Sequence, residues 1–150
     1  MNATPTGRGF LTHLGYWSGA EDYEQHSVSS QGTTVYDMQQ DLTPRADLNG
    51  SWSTEVFAAE ASRIIAAQGA LGADAPPLFL YLAFQNVHWP LEAPDDIVAR
   101  FAGATGGNKG RQMVCAMAAF LDEAVGNVTA ALDAAGLTDN TLVVFVVRFF

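Results

Sequence analysis

Pro76-Pro77-Leu78-Phe79-Leu80-Tyr81-Leu82-Ala83-Phe84-Gln85-Asn86-Val87-His88-Trp89-Pro90 is the stretch that decides the fold. The proline pair breaks any preceding helix. Seven apolar residues follow, and Gln85-Asn86 ends them. A short apolar run bounded in this way predicts a strand buried on both faces, as found in parallel sheets with helices on either side. The residues after Phe84 form the turn leaving that strand's carboxyl end.

Outward from there, residues 109–135 predict a long helix. Met113, Val114, Met117, Phe120, Leu121, Ala124, Val125, Val128 and Leu132 recur at spacings of three and four, and Gly136 stops the run. Asp139-Asn140 makes a turn, and residues 141–147 form a second apolar strand. Strand 78–84, helix 109–135 and strand 141–147 make a βαβ unit with a right-handed crossover. The predicted class is therefore α/β. A further helix is expected over residues 53–71, with Ser53 as N-cap, Glu55 in the first turn and Gly72 as the stop. Residues 1–52 carry little apolar periodicity and read as loop with short elements, lying against the α/β portion at 53–147.

Composition narrows the function classes. The chain has 150 residues, 49% hydrophobic, with a mean hydropathy of +0.09. That is enough apolar material for a core and excludes a disordered acidic tail. A net charge of −9 and a pI near 4.4 argue against binding to nucleic acid. Only 15% of residues are charged, below the roughly 25% of ordinary domains, which predicts that some surface is covered. No apolar stretch reaches the roughly 20 residues of a membrane span, so none is expected. MNATPTGRGF lacks a basic start followed by an apolar run, so no secretory signal is expected in these residues. The single cysteine, Cys115, cannot form an internal disulfide.

Several residues could carry chemistry. His88 stands just beyond a strand end, where open α/β sheets display functional groups. An imidazole there can donate to an anionic oxygen or move a proton near neutral pH. The plainer alternative is a histidine that ties down its turn. Gly103-Ala104-Thr105-Gly106-Gly107-Asn108-Lys109-Gly110-Arg111 opens the long helix but fails the P-loop pattern, and it reads as a flexible connector. Glu21, Asp22, Tyr23, Glu24 and His26 could hold a metal in principle. Their spacing matches no ligand pattern, and a solvated loop is expected. Cys115 lies on the helix between Met113 and Met117 and reads as a buried or half-buried inert thiol. Glycosylation triplets start at Asn2, Asn49 and Asn127, and they matter only if the chain enters the secretory route.

The order of these words resembles that in the type I sulfatases, most of all the arylsulfatase B-like group. Thr6-Gly7-Arg8-Gly9-Phe10, Gly15-Tyr16 and Gly19-Ala20-Glu21-Asp22-Tyr23 with His26 resemble the stretch after the family's Gly-Lys-Trp-His motif. Residues 77–94 are similar to its strand leading to an active-site histidine, here His88. Residues 121–128 and 137–141 resemble the helix and turn ahead of its last metal-binding segment. The resemblance implies a partial alkaline-phosphatase/sulfatase-like three-layer sandwich, with residues 1–150 as part of a catalytic domain. It also implies sulfate-ester hydrolysis by a formylglycine nucleophile with a calcium ion polarising the sulfate.

Only His88, the sulfate-contacting histidine, carries over among the site residues. Ala116-Met117-Ala118-Ala119 follows Cys115, whereas the formylglycine precursor stands in a Cys-x-Pro-Ser-Arg context. Val147-Arg148-Phe149-Phe150 stands where the family's Asp-Asn-Gly segment is expected. No metal ligand and no nucleophile is therefore expected in these residues. The chain reads as an internal fragment, inactive alone. The implied partner is a sulfate-ester substrate, a sulfated carbohydrate among the candidates. The implied setting is lysosomal, secreted or periplasmic. The alternative reading is a non-catalytic, anion- or partner-binding remnant.

Overall fold

The computed structural model describes residues 3–147. The Asn2 triplet and residues 148–150 of the apolar tail lie outside that range. The fold is mixed α/β, with small antiparallel sheets and a long helix.

Residues 3–52 are loop with short elements, as expected. β1 (Leu14–Gly15), β4 (Gln39–Gln40) and β5 (Thr43–Pro44) form a small sheet in the order β1-β4-β5. β2 (Ser27–Ser30) and β3 (Thr33–Tyr36) form a hairpin with Ser30 opposite Thr33. Its two-residue loop, Gln31-Gly32, has φ of 51° and 79°. Two successive positive φ values give the twist that a tight hairpin needs, and Gly32 supplies one without strain. Polar strands of two to four residues leave no long alternating signature, so the sequence conceals them.

α1 is Ser53–Ala70, close to the expected 53–71. Its cap differs from expectation. Trp52 holds the N-cap position, and Ser53 is the first helical residue, its N–H donating to the Tyr23 carbonyl at 2.7 Å. A tertiary carbonyl thus satisfies a free N-terminal N–H that a capping side chain would otherwise take. α2 is Asp95–Arg100 and α3 is Lys109–Ala134, matching the predicted long helix. Asn108 caps α3 by accepting from the Arg111 N–H at 2.9 Å. Gly136, at φ 67°, donates to the Asp133 carbonyl and closes its end.

α1 packs along α3, and α2 packs on α3 beside it. One core joins Tyr23, Ala93, Ile97, Ala116, Met117 and Phe120, with the Trp52 ring edge-on to Phe120. A second joins Met38, Val56 and Phe57, with Leu82 and Phe84 half-buried against it. α3 has the length and apolar composition to cross a membrane, contrary to the expectation that no stretch would. One side of it is buried here by Ala116, Met117, Phe120, Ala124 and Leu132, as in an amphipathic core helix.

The two predicted strands of the βαβ unit need correction. Residues 78–84 and 141–147 form no ladder among the described residues. Leu80, Leu82 and Phe84 turn inward while Phe79 and Tyr81 are exposed, so the first run is extended but covered on one face. In the second, every residue from Leu142 to Val147 is exposed. The reason is geometric. A doubly buried parallel strand needs neighbouring strands and a helical layer on each face. The first run has one helix-backed side and no strand beside it. The second has neither.

Candidate functional site

His88 sits in the turn that follows the first apolar run, and its side chain is exposed. The backbone around it is firmly held. The His88 N–H donates to the Gln85 carbonyl at 2.9 Å. Its ring Nδ1 lies 2.7 Å from the Trp89 carbonyl. A carbonyl can only accept, so Nδ1 is the protonated nitrogen and Nε2 faces away from this bond. A neutral ring then offers a lone pair at Nε2, and a doubly protonated ring offers an N–H to an anion. Asn86–Val87 and Trp89–Pro90 are cis.

Two amides, the buried Gln85 and the half-buried Asn86, anchor the start of this turn. Gln85, 4% exposed, donates from Nε2 to the Glu21 carbonyl at 2.5 Å and accepts from the Ser53 hydroxyl at 3.4 Å. Asn86 accepts from the Thr54 hydroxyl at 2.7 Å and donates to the Met117 carbonyl at 3.1 Å. The turn is thereby fixed to the first turn of α1 and the middle of α3. A buried amide that satisfies both its carbonyl and its NH2 group gains a single orientation.

The expected solvated loop at residues 21–26 is a correction. Glu21, Tyr23 and His26 are buried, at 2%, 0% and 0% exposure. Glu21 Oε1 and His26 Nδ1 pair at 3.2 Å. Burial raises the Glu21 carboxyl above its ordinary value, against the lowering effect of the His26 hydrogen bond. Tyr23 spans from this pair to the His88 turn. Its hydroxyl donates to the His88 carbonyl at 3.0 Å and its N–H to Glu92 Oε2 at 2.9 Å. Glu92 is also raised, chiefly by burial, and the Tyr23 N–H partly offsets this. The sequence grouped these residues by polarity. Tyr23 enters the core beside Met117 and Phe120, and the His26 ring stands edge-on to Tyr36.

Among the described residues, no three His, Cys, Asp or Glu side chains converge as metal ligands would. Cys115 is a half-buried free thiol on α3. The glycine-rich connector leads through turns to the Asn108 cap. A cleft of about 480 Å³ lies between α1 and α3, lined by Ser62, Ala66, Gly69, Ala70, Ala131, Ala134 and Ala135, away from His88.

The Sulfatase family profile matches residues 1–146. The chain belongs to the sulfatase family. Arylsulfatase J of Mus musculus is 35% identical over 143 residues, covering 94% of this chain and 23% of that protein. This sulfatase chain thus spans about a quarter of that curated relative. Gln85, Tyr23 and Glu92, which hold the His88 turn, were not singled out as a group from the sequence. Their partners lie 64 to 69 positions apart, beyond the reach of any local pattern.

Proposed function

We propose that this chain supplies the histidine-bearing turn of a sulfate-ester hydrolase, with His88 contacting the sulfate. The family match over residues 1–146 carries this proposal, together with the placement of His88 on an exposed, well-anchored turn. With Nδ1 committed to the Trp89 carbonyl, the doubly protonated ring donates Nε2–H to a sulfate oxygen. Such charge-assisted donation stabilises anionic oxygen more than a neutral hydrogen bond does.

The described residues do not fit the cofactors that the resemblance implies. No carboxylate cluster accommodates calcium, and Cys115 sits within a helix, followed by Ala116. No step through calcium or formylglycine is assigned to these residues. In this proposal the nucleophile and the metal ligands belong to other parts of the domain. The purified chain incubated with an aryl sulfate and calcium is expected to give no turnover.

Sequencing the transcript on both sides of this frame tests the proposal. It should encode Cys-x-Pro-Ser-Arg upstream and Asp-Asn-Gly downstream. If neither is encoded in any frame, hydrolysis is refuted, and the second reading stands, a non-catalytic anion- or partner-binding remnant. The role of His88 has its own check. Inorganic sulfate titrated into the labelled chain should move the His88 ring signals by NMR, and His88→Ala should abolish the saturable response. A wild-type His88 signal that ignores sulfate would sink that role.

A further inference from the structure

We propose that Tyr23 is a positioning residue for His88, acting through the His88 carbonyl, and that residues 21–23 are the mount on which the histidine turn is set. This rests on His88 as the sulfate-contacting residue. Of the hydrogen bonds that reach the turn, this mount makes three, at its start, centre and end. Gln85 donates to the Glu21 carbonyl at 2.5 Å. The His88 carbonyl accepts from the Tyr23 hydroxyl at 3.0 Å. Glu92 accepts from the Tyr23 N–H at 2.9 Å.

The mount is itself fixed. Tyr23 is fully buried in the core with Met117 and Phe120. Its carbonyl takes the Ser53 N–H at the start of α1, and the neighbouring Glu24 carbonyl takes the Gly50 N–H at 2.8 Å. Glu21 is tied to the buried His26. Burial also pushes the Tyr23 hydroxyl far above its ordinary value, so it stays a donor at any working pH. By contrast, the His88 side chain is exposed and its ring bonds only to the adjacent Trp89 carbonyl. The direction of Nε2 is therefore set by the backbone at His88, and the backbone at His88 is held from the side by one phenol.

Tyr23→Phe removes that hydroxyl and leaves the ring in the core. The variant should keep its helical circular dichroism. In the ligand-free chain its His88 ring signals should shift or broaden while those of His13 stay in place. Its affinity for inorganic sulfate should fall roughly three- to tenfold, the scale of one neutral hydrogen bond. Glu92→Ala, which frees the end of the turn without touching the core ring, should act in the same direction and covers a failure of Tyr23→Phe to fold. Ligand-free His88 signals unchanged in either folded variant would overturn the proposal. A wild-type chain whose His88 ignores sulfate, but whose ligand-free signal moves in Tyr23→Phe, would refute the sulfate contact and leave the mount intact.

Discussion

Gly69 and Gly126 are both helical glycines, and alanine should stabilise at Gly126 but not at Gly69. Gly69 lies in the last turn of α1, where the chain returns from α3. A Cβ built there would stand 2.9 Å from both the Cβ and the carbonyl oxygen of Ala135, and 3.3 Å from its Cα. None of these atoms can rotate away, so the two helix ends must separate. Overpacking of this kind costs about 1–3 kcal/mol, whereas replacing a helical glycine by alanine returns about 1 kcal/mol. Gly69→Ala should therefore range from neutral to about 2 kcal/mol destabilising. At Gly126, in α3, nothing lies within 4 Å of the added Cβ. Only the propensity gain of about 1 kcal/mol remains there. The two variants should differ by about 1–3 kcal/mol, at about 2–4 °C in Tm per kcal/mol for a chain of this size. Urea unfolding followed by far-UV circular dichroism measures both. If Gly69→Ala rises in stability alongside Gly126→Ala, the close approach at Ala135 is refuted.

Three further outcomes are expected. The Glu21 carboxyl is raised on folding, so its contribution is present at low pH and is lost as pH rises from about 4.5 through the folded value. Glu21→Gln should reduce that loss in melts taken from acid to neutral pH, leaving the slope from Glu92, which has the same sign; an unchanged slope would count against the buried carboxylate. Phe120→Ala should cost about 3–5 kcal/mol in urea unfolding, because Phe120 is 4% exposed in the core. Leu142→Ala, at an 88% exposed position, should stay within about 0.5 kcal/mol of the parent chain, and a comparable loss at both sites would contradict the assigned packing. Val144→Lys should reduce light scattering of concentrated samples without altering helical content, because 141–147 is an exposed, β-prone run without charge.

The helices were legible in the sequence, and the sheets were not. α3 begins at the predicted residue and ends one residue early, since long apolar periodicity and a closing Gly are local information. α1 lies nearly where the sequence puts it, except that Ser53 is the first helical residue and not the cap, its N–H taken by the Tyr23 carbonyl thirty residues earlier. The apolar runs at 78–84 and 141–147 were read as laddered strands. Alternation and apolarity report extended backbone, while a ladder depends on what lies alongside. His88 lies in the turn after the apolar run, as its sequence position implies, yet the residues that hold that turn are not legible there. Tyr23 and Glu92 meet across 69 positions of sequence, and nothing in the five-residue polar cluster distinguishes a buried Glu21–His26 pair from a solvated one.

Among the described residues, no hydrogen bond joins the His88 turn to the unladdered run at 141–147, and this decides which perturbations should reach the site. Between residues 85 and 92, backbone and side-chain groups are held by Glu21, Tyr23, Ser53, Thr54 and Met117, none of which lies in 141–147. Among the described residues, the hydrogen bonds of 141–147 run back to Leu137 and Thr138 from Thr141 alone. A charge introduced at Val144 should therefore leave the His88 ring signals where they are, while the loss of one buried hydroxyl at Tyr23 should move them. If Val144→Lys shifts His88 as far as Tyr23→Phe does, the turn depends on the apolar run after all, and its fixation by residues 21–23 is wrong.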